Sequence, residues 1–194
     1  MATKVNIHET CIIDNEVQIG ENVTIAQFSS IMDASCIGKG TCIGQNVSIE
    51  SNVRLGNNCN IQNNVHLISG VNCKDNVYIG ASVIFTNVFY AHLRKSVNNK
   101  RESEKTTIEK GVTIGANCTI ISGVTIGDFA FIAAGSLISN DVKAYALVSG
   151  NPAKQIGWVS EFGHRLVFDD NGDAICPQSK QEYKLVNNTV NRIK

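Results

Sequence analysis

Along most of this chain an aliphatic residue recurs at every sixth position. The series runs Ile7, Ile13, Ile19, Ile25, Ile31, Ile37, Ile43, Ile49, Leu55, Ile61, Leu67, Cys73, Ile79 and Phe85, then resumes as Ile108, Ile114, Ile120, Ile126, Ile132 and Ile138. Four residues after each member except Phe85 stands a small residue, never larger than Val, such as Cys11, Val23, Ser35, Thr41, Cys118 or Ala130. A six-residue period is not helical but contains the strand period of two. The small residue and the next aliphatic are two apart, so they share one side of a short strand. Gly often follows the aliphatic directly, as at Gly20, Gly38, Gly44, Gly56, Gly80, Gly115 and Gly127. That placement reads as a corner with positive φ. Each hexad therefore predicts one short strand and one corner. Three faces close a triangular coil, and coils stack at the strand spacing of about 4.8 Å. The expected architecture is all-β, a parallel β-helix of hexapeptide type with the large aliphatics inside.

The period breaks in three places. The first is an inserted loop at about 87–107, polar and basic, carrying Tyr90, His92, Arg94, Lys95, Lys100, Arg101 and Lys105. Loops of that length in compact folds are usually functional or disordered. A flap reaching over a neighbouring subunit is expected, against a solvated excursion. The second break, "YALVSGNPAKQIGWVSEFGHRL", predicts a turn at "GNPAK" and a short helix with Trp158 and Phe162 on one side, closing the end of the solenoid. The third, from Arg165 onward, reads as a hairpin with apolar runs either side of Asp170-Asn171-Gly172. The chain thus divides into a repeat region, 1–149, and a C-terminal cap and hairpin extension, 150–194.

Composition narrows the function classes. The 194 residues carry 17 basic and 17 acidic side chains, so the net charge is zero. That argues against a general nucleic-acid or membrane-surface binder. No apolar run approaches the roughly 20 residues of a membrane span. The start, "MATKVNIHETC", lacks the apolar stretch of a signal peptide, and a cytoplasmic location is expected. The seven cysteines form no CxxC pair, have no histidine at zinc spacing, and read as small buried apolar residues. The four scattered histidines offer no three-histidine cluster, so no metal is expected.

The segment "IGANCTIISGVTIGDFAFIAAGSLI" followed by "GNPAK" resembles the hexapeptide-repeat acetyltransferases that use acetyl-CoA. "IQNNV", "FTNV", "YALVSGNPAKQIGWVSEFG" and a tail of the form "CP…EYKL" are similar to the N-acetyltransferases of nucleotide-linked 3-amino sugars. These are the UDP-2-acetamido-3-amino-2,3-dideoxyglucuronate and dTDP-3-amino-3,6-dideoxyhexose types, which serve lipopolysaccharide and O-antigen assembly in bacteria. The resemblance implies a left-handed coil, acetyl-CoA as acyl donor, and a homotrimer with active sites between neighbouring prisms. It also implies site residues. Ala116 and Ala134 would meet the pantetheine arm through backbone groups, with Ser139 one turn on, and Lys154 would take the adenosine phosphate end. Asn87 would orient the attacking amine. His92 is the rival as general base, and in that role would suit a 4-amino sugar or a sugar hydroxyl as acceptor. Arg94 is the candidate for a sugar carboxylate or diphosphate, and His66 for the wall of the cleft. The relatives follow "FTN" with a Pro-Arg pair, whereas this chain reads "FTNVFYAHLRKS". A sugar amine is less basic than lysine, so positioning and oxyanion stabilisation should matter more than a strong base.

Overall fold

A computed structural model describes residues 5–86 and 105–194. Among them no helix occurs and three parallel sheets wrap one core. The first face stacks the strands Asn6–Ile7, Thr24–Ile25, Cys42–Ile43, Asn60–Ile61, Tyr78–Ile79, Thr113–Ile114 and Phe131–Ile132, and is continued by Ala146–Gly150. The second face runs from Ile12–Ile13 through Ser48–Ile49, His66–Leu67, Ile84–Thr86 and Thr119–Ile121 to Leu137–Ile138. The third runs from Gln18–Ile19 through Arg54–Leu55, Val71–Cys73 and Thr106–Ile108 to Thr125–Ile126. Below the insert each residue pairs with the one eighteen further on, as Ile7 with Ile25 and Ile43 with Ile61, so three hexads make one coil. The repeat aliphatics from Ile25 to Phe85 and from Ile108 to Ile138 are buried. Ile7, in the first coil, is 40% exposed because no coil lies beneath it.

Two details of the corner differ from the sequence reading. None of the seven glycines that follow an aliphatic has positive φ. The left-handed residue stands two positions later and is most often asparagine: Asn22, Asn46, Asn52, Asn58, Asn64, Asn76 and Asn117. Asn tolerates that region better than other residues with a side chain. The glycines answer to a different constraint, the close approach of successive coils. A Cβ on Gly80 would lie 2.6 Å from the backbone nitrogen of Ala116, and backbone cannot move aside cheaply.

The small position is also more than a spacer. The hydroxyls of Ser29, Ser35 and Thr41 donate to the carbonyls of Gly44, Glu50 and Gly56 in the next coil at 2.8–2.9 Å. The same oxygens accept from the N–H groups of Val47, Val53 and Cys59. Thiols do similar work: Cys11, Cys59 and Cys118 approach the carbonyls of Ala26, Lys74 and Ala133 at 3.1–3.2 Å. Burial pushes the Cys59, Cys73 and Cys118 thiols up from their ordinary value, which keeps them neutral. The expectation of buried cysteines fails for Cys42, which is exposed, and for Cys36, which is half-buried, because both point outward from their strands, while Cys11, in the first coil, is also half-buried.

The insert is shorter than the sequence boundary, since Thr106–Ile108 already pairs with Val71–Cys73 on the third face. The expected helix after "GNPAK" is instead the strand Ala153–Val159, antiparallel to Ala146–Gly150. That open sheet edge supplies hydrogen bonds that an isolated helical turn would lack. Trp158 is buried and Phe162 is 55% exposed, so the two do not share a face. In the tail Asp169–Gly172 is a turn, closed by the Gly172 N–H donating to the Asp169 carbonyl at 2.9 Å. Its flanks do not form the expected hairpin. Arg165–Leu166 pairs backward with Ala153–Val159, and Asp173–Ile175 pairs with Glu182–Val186. The hairpin lies further on, at Asn187-Asn188, both with positive φ, between Glu182–Val186 and Thr189–Arg192.

Candidate functional site

The corner that joins the first face to the second changes character halfway up. In the two coils Gly44-Gln45-Asn46 and Gln62-Asn63-Asn64 it carries polar side chains that form a ladder. Asn63 accepts from the backbone N–H of Gln45 in the coil below at 2.9 Å, and Asn64 accepts from Asn46 at 2.9 Å. From the next coil onward the equivalent triplets are Gly80-Ala81-Ser82, Gly115-Ala116-Asn117 and Ala133-Ala134-Gly135. Alanine has no acceptor, so it cannot do for the coil below what Asn63 does for Gln45. The N–H groups of Ala81 and Ala116 thus have no side-chain acceptor above them. The corner between the third face and the first keeps its acceptors, and at the remaining corner an acceptor lies in the coil below its donor. Asp75 accepts from Asn57 at 2.7 Å, Asp128 from Lys110 at 3.1 Å and Glu50 from Ser69 at 3.0 Å.

This bare corner is narrow by construction. The coils there approach so closely that a Cβ on Gly115 would sit 2.5 Å from the nitrogen of Ala134. Gly135 N–H donates to the Ala116 carbonyl at 2.9 Å and Asn117 N–H to the Ala81 carbonyl at 2.9 Å, which fixes the backbone of each rung. The result is a strip of mostly small side chains, with peptide groups repeating at about 4.8 Å along the prism. Such a strip suits an extended chain that carries its own amide groups.

At its upper end the strip meets the C-terminal strands. Val148 stacks on Ile132, and the Gly150 N–H donates to Ser136 Oγ at 3.2 Å. Lys154 lies across from Ser149 on the antiparallel neighbour and is exposed. Of the residues expected from the sequence, Ala116, Ala134 and Lys154 therefore fall along one side of the molecule. Ser139 follows the second face and lines a cavity of about 150 Å³ at the solenoid end, with Asp141, Lys143, and Ala153 and Gln155 on either side of Lys154 in sequence. His66 projects from the second face and is held by Glu50, whose Oε1 lies 3.2 Å from Nε2. Asn87, His92 and Arg94 lie outside the described residues. Among the described residues no group of three or more His, Cys, Asp or Glu could hold a metal. Nor is any helix among them long and apolar enough to cross a membrane.

The C-terminal sheet is pinned to the solenoid by an aromatic and ionic cluster. Tyr145 stacks on Phe129, with ring centroids 5.5 Å apart, and meets Tyr183 edge-on at 5.8 Å. Its hydroxyl donates to Glu161 Oε1 at 3.2 Å, and Arg192 donates to Glu161 Oε2 at 2.9 Å. Burial, together with the Glu161 charge, pushes the Tyr145 phenol far above its ordinary value.

Sequence reasoning missed Ala81, Glu50 and the bareness of the corner as a whole. The signal was present as small residues at equal coil positions, but the insert separates Ala81 from Ala116 and hides their stacking.

The architecture and its repeat define a hexapeptide-repeat β-solenoid protein. Residues 105–140 match the family described as bacterial transferase hexapeptide (six repeats), and residues 36–69 match the hexapeptide repeat of succinyl-transferase. More particularly, the chain is 39% identical over 89 residues to a dTDP-3-amino-3,6-dideoxy-α-D-galactopyranose 3-N-acetyltransferase of Aneurinibacillus thermoaerophilus, covering 46% of this chain and 45% of that protein. It is 37% identical over 86 residues to 2,3,4,5-tetrahydropyridine-2,6-dicarboxylate N-acetyltransferase of Staphylococcus aureus, covering 44% of this chain and 32% of that one. The matched stretches span less than half the length of these curated relatives. Among solved structures it is similar to a hexapeptide-repeat acetyltransferase of Vibrio cholerae in complex with acetyl-CoA. The TM-score there is 0.58 and the identity 28%, over 64% of this chain and 70% of that one. The acetyltransferase domain of PglB from Neisseria gonorrhoeae shares the fold, with a TM-score of 0.55 and 19% identity, over 79% of this chain and 58% of that one.

Proposed function

We propose that this protein transfers acetyl from acetyl-CoA to the 3-amino group of a nucleotide-linked amino sugar in bacterial surface-polysaccharide biosynthesis. The observation that carries the reading is the bare corner at Ala81, Ala116 and Ala134. The pantetheine arm of CoA is an extended chain with two amides, matched to a strip of unclaimed peptide N–H groups. Lys154 at the upper end of the strip places a cation for the adenosine phosphates. The thioester then lies toward the lower end, near Ala81. Similarity to the Aneurinibacillus enzyme, which by its name acetylates a dTDP-linked 3-amino sugar, supports the acceptor class.

In this reading the neutral sugar amine attacks the thioester carbonyl. The N–C bond forms, the C–S bond breaks, and the departing sulfur takes a proton from the nitrogen. A backbone N–H of the bare corner holds the carbonyl oxygen as it becomes negative. Asn87 orients the amine, with His92 the alternative as a base, Arg94 binds the sugar's acidic group or its diphosphate, and Ser139 contributes to the CoA side. The active unit is a cytoplasmic homotrimer. Exposed Ile12, Phe28 and Ile84, on the second face and the corner before it, suit burial against neighbouring copies. UDP- and dTDP-linked sugars are both within the class.

Incubation with acetyl-CoA and a panel of nucleotide-linked 3-amino, 4-amino and non-amino sugars, with release of free thiol followed, tests the reading. Turnover with 3-amino sugars above the others is expected. No turnover with any of them contradicts it.

A further inference from the structure

His66 stands where the reacting end of the proposed donor groove meets the second face. Its strand follows the corner Gln62-Asn63-Asn64, which is the last polar rung before the bare corner begins at Gly80-Ala81. Directly above His66 lies Ile84, and below it Ser48, neither of them charged. Ile84 is 51% exposed in the single chain, so the histidine has an apolar neighbour on that side. The ring itself is not loose. Its Nε2 lies 3.2 Å from Glu50 Oε1, while Glu50 Oε2 accepts the Ser69 N–H at 3.0 Å. A carboxylate fixed by a backbone amide thereby fixes an imidazole. Because a carboxylate only accepts, Nε2 carries the hydrogen, and in the neutral ring Nδ1 has the lone pair. Among the described residues Nδ1 has no hydrogen-bond partner, and Glu50 is the one charged group against the ring.

We propose that His66, oriented by Glu50, is the proton acceptor for the ammonium form of the incoming amine. This rests on the amino-sugar reading above and adds a residue to it. Nucleotide-linked amino sugars arrive partly as ammonium ions, which have no lone pair with which to attack. Nδ1 takes one proton from the ammonium, giving a neutral amine and an imidazolium whose charge Glu50 balances. The amine attacks, the nitrogen loses its second proton to the departing sulfur, and the imidazolium returns its proton to solvent. Overall, an ammonium and a thioester become an amide, a thiol and one released proton. Glu50 is a positioning residue in this scheme, since it acts through the ring.

The test compares wild type, H66A and E50Q in thiol release with the best 3-amino nucleotide sugar, at pH 7.5, where the imidazole is mostly neutral, and at pH 9. His66 is exposed and Glu50 half-buried, so both variants should fold, which circular dichroism checks. H66A is expected to lose about tenfold or more in kcat at pH 7.5 and much less at pH 9, where more of the amine is already neutral. E50Q should lose less in the same direction, and neither should change KM for acetyl-CoA. Wild-type rates in both variants at both pH values, or an equal loss at both, overturn the role of His66 and leave the amino-sugar reading standing. If wild type turns over no amino sugar, that reading falls and this one with it.

Discussion

Gly115 and Ala134 define the closest approach in the bare corner: the Ala134 nitrogen occupies a point 2.5 Å from where a Cβ on residue 115 would lie. Backbone, unlike the end of a flexible side chain, cannot step aside. The variant G115A is therefore expected to spread two coils and destabilise the protein by about 1–3 kcal/mol. Thermal unfolding measures this, and an unchanged midpoint would show that the contact is slack.

Restoring the polar ladder should close the groove. In A134N the new amide would stand over the Ala116 N–H as Asn63 stands over that of Gln45. The fold gains a hydrogen bond and the donor loses a strip of peptide groups. KM for acetyl-CoA should rise about tenfold, a loss of about 1.4 kcal/mol, with the unfolding midpoint maintained or raised. An unaltered KM would remove this corner from the donor site.

Lys154 is exposed and has no ion pair among the described residues, which suits a cation that waits for a phosphate. K154A should raise KM for acetyl-CoA about three- to tenfold with little change in kcat. The gap between variant and wild type should narrow as salt is added, because exposed charges are screened. Steady-state kinetics at two ionic strengths distinguish this from a packing effect, which salt would leave alone.

The Tyr145 cluster predicts an alkaline weakness. The phenol's folded value lies above its ordinary value of 10.0, through burial first and the Glu161 charge second. A raised value means that the folded state holds the proton more tightly than the unfolded one. Its contribution is complete below about pH 10 and is lost as pH rises beyond it. Unfolding midpoints between pH 9 and 11.5 should fall more steeply for wild type than for Y145F. Parallel slopes would contradict the linkage.

Much of the solenoid was legible because its period is a packing requirement: every coil must place Ile or Leu on the axis. The corners were legible only in part. A glycine after the aliphatic suggests a left-handed turn when one hexad is considered, whereas Gly80 is required by Ala116 in the coil above, a relation between residues 36 positions apart in sequence. Asn64 and its equivalents were the true turn formers. The segment after Pro152 failed for a similar reason. Nothing local in "AKQIGWV" demands a strand, and the edge offered by Ala146–Gly150 decides it. Of the candidate site, Ala116, Ala134 and Lys154 were expected through resemblance, while Glu50 became visible only as the partner of His66.

The most direct measurement of the central claim is the bond formed in the product. Wild-type protein with isotope-labelled acetyl-CoA and a dTDP-linked 3-amino-3,6-dideoxyhexose should give a sugar whose label couples, by nuclear magnetic resonance, to the nitrogen at carbon 3. Label found as an ester on a sugar hydroxyl, or remaining wholly on CoA, would contradict the account.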